Sequence, residues 1–109
     1  MKFTEKTRAT IRERADNRCE ICGLNGANQI HHRKPRGMGG TKNVESRSAA
    51  NGLFVHLKCH DRIEKNRDEG YRNGWLVHQW EKSEDVPVKM FDGWKTLSED
   101  GTFSSLSPR

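Results

Sequence analysis

Residues 4–17 carry small or apolar side chains at a four-residue spacing, Thr7, Ile11 and Ala15, while Arg8, Arg12 and Arg14 occupy the facing surface. That spacing predicts a helix with Thr4 as its N-cap. Gln29–His32 reads as a short extended segment, and Asn51-Gly52 opens a second one, Leu53-Phe54-Val55. A helix is expected from about Cys59 to Glu69, stopping at Gly70. Between the two extended segments, Pro35 to Thr41, with Gly37, Gly39 and Gly40, reads as a flexible basic loop. The order is therefore strand, long loop, strand, helix.

Beyond Trp75 the pattern shifts to short runs with strand character: Trp75-Leu76-Val77, Val86–Phe91 and Trp94–Leu97, with Asp92-Gly93 as a hairpin turn. Trp75, Trp80, Phe91 and Trp94 are expected to build the core of a small sheet, and base stacking is the weaker reading for them. Residues 101–109 read as a frayed tail. No internal repeat or low-complexity segment interrupts the chain.

Composition sharpens this. With 109 residues, 31% hydrophobic and 32% charged, the chain suits one domain with a thin apolar core, the kind that needs a staple. Binding a structural zinc contributes on the order of 10 kcal/mol, comparable to the net stability of a whole domain. Three cysteines, an odd number with zinc-like spacing and no signal peptide ahead of them, fit metal-bound thiolates in a cytoplasmic compartment better than disulfides. The longest apolar stretches are too short to cross a bilayer. The net charge of +5 is uneven: residues 1–60 hold twelve of the twenty Lys and Arg and five of the fifteen Asp and Glu, a balance of +7, leaving −2 for the rest. A polyanion such as nucleic acid is the natural partner for the basic half. Arg33, Lys34, Arg36 and Lys42 are the phosphate-contact candidates.

The basic half also holds the metal-type residues, in the order Cys19-Glu20-Ile21-Cys22, His31-His32, Asn51, then His56-Leu57-Lys58-Cys59-His60. Thiolates two residues apart close on one ion, with Gly23 and Gly26 permitting the turn, and a second pair downstream completes a tetrahedron. His31, His32, Asn51 and His60 are then surplus to one structural zinc, which argues for an enzyme. His78 lies outside this set and is expected to be structural or exposed.

The ordered set resembles the HNH family of endonucleases over about Cys19 to Arg67, including Pro35-Arg36-Gly37, Gly39-Gly40, Asn51-Gly52-Leu53, Cys59-His60-Asp61 and Ile63-Glu64. The Trp75–Trp94 region is similar to a C-terminal extension of small HNH proteins of tailed phages. The resemblance implies an α+β fold: a zinc-stapled ββα-metal core within residues 1–74, an N-terminal helix, and a small β-hairpin extension and tail over 75–109. It implies that His31 and His60 ligate a catalytic divalent ion (Mg²⁺, Mn²⁺ or Ni²⁺), that His32 is the general base and that Asn51 positions the loop or base. Cys19, Cys22, His56 and Cys59 would hold the structural zinc. Family members commonly carry cysteine where this chain has His56, and zinc accepts three thiolates with one imidazole. Double-stranded DNA is the implied substrate, a phage packaging terminase the implied partner and the bacterial host cytoplasm the implied location. The alternative is a non-catalytic, zinc-stabilised nucleic-acid-binding module.

The chemistry is coherent apart from the family. Phosphodiester hydrolysis needs an activated water, a charge partner for the phosphorane and help for the leaving oxygen. An imidazole with an ordinary pKa of about 6.5 suits the first, and a divalent ion the other two. Adjacent strand residues point to opposite faces, so His31 and His32 are expected to divide the ligand and base roles.

Overall fold

A computed structural model describes residues 3–34 and 48–106. The order is helix α1 (Glu5–Ala15), strand β1 (Gln29–His32), strand β2 (Gly52–Val55), helices α2 (Leu57–Lys65) and α3 (Arg67–Arg72), then strands β3 (Val88–Met90), β4 (Gly93–Leu97) and β5 (Phe103–Ser105). β1 and β2 form one antiparallel pair and β3-β4-β5 a separate antiparallel sheet, so the chain is a small α+β protein.

In α1 the Thr4 side chain accepts from the Thr7 amide, and Ile11 and Ala15 are buried, as the spacing predicts. Arg14 departs from the expected solvent face. Its side chain is 1% exposed and forms a two-pronged ion pair with buried Glu20, at 2.9 and 2.7 Å. It also donates to the carbonyls of Ala49 and Gly52. Glu20 accepts from the Phe54 amide as well, so the pair ties α1, the Cys19–Cys22 turn and β2 together. Burying two charges is tolerable here because their donors and acceptors are engaged by one another and by backbone. Gly52 sits at φ −116, which any residue adopts, so its role is space: a Cβ there would run into the Ile11 side chain, with Phe3 close behind.

The expected single helix over 59–69 is two. α2 begins earlier, at Leu57, and ends at Asn66, whose side chain caps α3 by accepting from the Glu69 amide. Gly70 does not end the helix. It lies buried inside α3, where a Cβ would come within 2.8 Å of Leu76.

Trp75-Leu76-Val77 is buried but forms no strand; the Leu76 amide donates to Gly70 and that of Val77 to Arg33. The hairpin turns through Phe91 and Asp92, with Gly93 paired to Met90. Part of the expected tail, Phe103–Ser105, is a third strand on β4. Of the four aromatics expected in the sheet core only Trp75 is buried; Trp80, Phe91 and Trp94 are exposed. The core is instead aliphatic: Val88, Met90 and Leu97 pack with Trp75, Leu76, Leu53, Val55, Ile63 and Cys19 in one cluster, so the C-terminal sheet shares the core of the preceding half. No helix among the described residues is long and apolar enough to cross a membrane.

Candidate metal centre

Two groups of metal-type side chains form around the start of α2. Cys19, Cys22, His56 and Cys59 make the first, and their ligand atoms all lie within 4.8 Å of one another. The Cys19 and Cys59 Sγ atoms are 3.6 Å apart and the Cys22 Sγ lies 3.2 Å from His56 Nδ1. Two sulfurs bound about 2.3 Å from a tetrahedral zinc lie about 3.8 Å apart, so the side chains need little movement to close on an ion. The fit extends outward. His56 Nε2 donates to the Asn25 carbonyl at 2.8 Å, which leaves Nδ1 unprotonated toward the sulfurs.

Local sequence explains the shape. Between Cys19 and Cys22 the chain folds back so that the Gly23 amide donates to Cys19 and the Cys19 amide to Leu24. Gly23 holds φ +80, where a side chain would be strained and would meet Phe91 of the β3–β4 turn. Burial tends to raise the Cys19 thiol, but backbone amides of Cys22, His56 and Ile21 outweigh it and hold the pKa at about 7. Cys59 goes the other way, pushed up to about 12 by burial and by the neighbouring Cys19 sulfur. A bound divalent ion would offset the burial that raises Cys59 and favour thiolates at the coordinating sulfurs.

His31, His60 and Glu64 make the second group, with ligand atoms again within 4.8 Å of one another. His31 and His60 meet edge to face with ring centroids 5.2 Å apart, and His60 Nε2 lies 3.8 Å from a Glu64 oxygen. His31 is buried, and its Nε2 lies 2.7 Å from the Trp75 carbonyl. A carbonyl only accepts, so Nε2 carries the proton and Nδ1 keeps its lone pair. Burial, aided by the facing His60, His32 and Arg33 against the Trp75 carbonyl, lowers the His31 pKa to about 4. The ring is therefore neutral at neutrality, the form that binds metal. The chain thus sorts its histidines: His56 joins the cysteines and His60 joins His31. Glu64 is the member the sequence reading missed, although His60-x3-Glu64 on a helix puts both side chains on one face.

Other expected site residues lie elsewhere. His32 is outside the second group; its ring stacks on Phe3 with centroids 4.3 Å apart. Asn51 is fully buried and its Oδ1 accepts from the Lys34 amide and the Ser83 hydroxyl, so it fixes the ends of two loops. Arg33 is not a surface cation. It is fully buried, and its guanidinium donates to the carbonyls of Gly74, Ala50, Ser83 and Val86 at 2.7–2.9 Å. Burial, with Arg14 nearby, lowers its pKa to about 9 against the pull of Glu20 and Glu81. A phosphate cannot reach it, and its role is to join the turn before β2 to the segments around 74 and 83–86. Lys34 is also buried, while Arg36, Lys42 and the glycine-rich loop fall outside the described residues. His78 is half-buried between two aromatic rings.

Compared with protein-family models, with curated proteins and with solved structures, the chain returns no match.

Proposed function

We propose that this chain is a metal-dependent endonuclease of the HNH type that hydrolyses phosphodiester bonds of double-stranded DNA. One observation carries the reading: neighbouring residues at the start of α2, Cys59 and His60, belong to two different ligand groups. A strand pair followed by a helix, with a four-ligand set beside a second set that holds His31 and His60, supports the arrangement the ββα-metal resemblance implies, and Glu64 adds a third ligand to the second set. A closed set of four suits a structural ion, and a set of three leaves coordination positions open.

In this reading Cys19, Cys22, His56 and Cys59 hold zinc and fix the turn that presents His60. His31, His60 and Glu64 hold the second cation. When bound, that cation supplies charge stabilisation to the crowded phosphorane and to the leaving oxygen. The Trp75 carbonyl orients His31. His32, next along β1, takes the proton from the attacking water. Asn51 keeps the loop entering the site in register through the Lys34 amide. The resemblance carries the proposal further, to phage genome processing beside a packaging terminase in a bacterial cytoplasm.

The test is incubation of the zinc-loaded protein with supercoiled plasmid under Mg²⁺, Mn²⁺, Ni²⁺ or EDTA. Nicked or linear product under at least one ion, abolished by EDTA, is expected. Tight DNA binding with no cleavage under any ion would favour the non-catalytic zinc module.

A further inference from the structure

Outside both ligand groups, three rings form a continuous stack. Tyr71 of α3 lies on His78 with centroids 4.0 Å apart and planes 8° from parallel, and His78 lies on Trp80 at 4.4 Å and 5°. Trp80 ends the stack and is 80% exposed. From this geometry we infer that Trp80 is a platform for an unpaired nucleobase, so that the DNA taken by this protein carries a single-stranded, frayed or extrahelical nucleotide beside the cleaved bond. The inference rests on the nucleic-acid reading above and adds a substrate class to it.

Parallel rings at this separation are arranged as bases are in a nucleic-acid strand, and the open end of such a stack is completed by another flat π-face. The surroundings suit a nucleotide better than a protein partner. The chain neighbours Gln79, Glu81 and Lys82 are polar, and Lys82 and Arg72, two residues after Trp80 and one after Tyr71 in the chain, are exposed cations. Glu81, the nearest carboxylate in sequence, accepts from the His78 amide at 3.3 Å. The platform is anchored to the second ligand group: Trp75, whose carbonyl holds His31, begins the segment that ends in Trp80, and the Val77 amide donates to Arg33 next to His32. A base stacked here would lie at the end of the segment that is hydrogen-bonded back to Arg33, the residue after β1.

The test is binding of a short thymidine oligonucleotide to the zinc-loaded 109-residue chain with no other divalent ion, followed by quenching of tryptophan fluorescence. An abasic oligomer of equal length serves as the control for phosphate contacts alone. The wild type is expected to be quenched by the thymidine oligomer, and Trp80→Leu to bind it about 5- to 150-fold more weakly, the range of one lost base stack. Trp80→Phe should recover most of the affinity, since it restores a ring. The abasic oligomer should bind wild type and Trp80→Leu alike. Because the side chain is exposed, the leucine variant should keep its zinc and circular dichroism. Equal thymidine affinity in wild type and Trp80→Leu overturns the inference. So does self-association that Trp80→Leu abolishes without changing oligonucleotide affinity, which would assign the face to a protein. Binding needs no cleavage, so a chain that never nicks plasmid can pass this test and a nicking chain can fail it.

Discussion

The two ligand groups share one helix turn but differ in build. The cysteine group is closed: four ligands, a histidine locked by the Asn25 carbonyl, and a fold-back turn braced by Phe91. The histidine group is open: three ligands, one deeply buried and neutral, and one, Glu64, more than half exposed and also 3.6 Å from Arg67. The first is suited to holding an ion permanently, the second to holding one exchangeably with positions left for other ligands. Their common frame is two buried arginines. Arg14 takes the carbonyls of Ala49 and Gly52, and Arg33 takes that of Ala50 while its amide takes that of Asn51. Four consecutive carbonyls of the turn entering β2 are thereby fixed. A chain with a thin apolar core here uses buried guanidinium groups, beside a cluster that could hold a metal, where a larger domain would use side-chain packing.

The largest effect should come from opening the closed group. Cys19→Ser or Cys59→Ser should lose zinc and unfold much of the protein, because about 10 kcal/mol or more of metal binding is removed. Metal analysis with circular dichroism checks this, and a zinc-free variant with a native spectrum and melting point would contradict it. Next comes the frame. Arg33→Met should leave the carbonyls of Gly74, Ala50, Ser83 and Val86 without their donor and lower stability by about 3–5 kcal/mol in urea unfolding. An unaffected midpoint would mean that Arg33 is dispensable to the fold. Glu64→Gln should separate the groups: zinc content and stability unchanged, with the cation concentration for half-maximal cleavage raised roughly 10-fold or more. If Glu64→Gln leaves that midpoint unmoved, Glu64 is not a ligand. The smallest effect should be Gly70→Ala, where overpacking against Leu76 costs about 1–3 kcal/mol; a stabilised variant would show that α3 can yield there.

The sequence was most legible where chemistry forces spacing. Cys-x2-Cys and the Cys59-His60 pair marked the ligand groups because metal geometry tolerates few arrangements, and α1 followed from its four-residue period and its threonine cap. It was least legible where charge and packing meet. Arg14 and Arg33 look like any surface cation in one dimension; only the fold shows that backbone carbonyls converge on them. Trp80 and Trp94 carried a burial expectation that aliphatic Val88, Met90 and Leu97 fulfil instead. Gly70 read as a helix stop because close packing against Leu76 is a long-range fact, while the actual break at Asn66 depends on a side-chain cap. Glu64 was within reach of spacing rules, through His60-x3-Glu64.

The central claim, a ligand role for His31 and His60 and a base role for His32, is tested most directly by titrating plasmid cleavage against Mn²⁺ or Ni²⁺ for the wild type and for His31→Ala, His32→Ala and His60→Ala. His32→Ala should lower the plateau by roughly 10²–10⁴-fold with its midpoint unchanged, the usual worth of general-base catalysis. His31→Ala and His60→Ala should shift the midpoint upward and recover activity at high metal. Rescue of His32→Ala but not His31→Ala would reverse the assignment of the pair, and full activity in all three would contradict the nuclease reading itself.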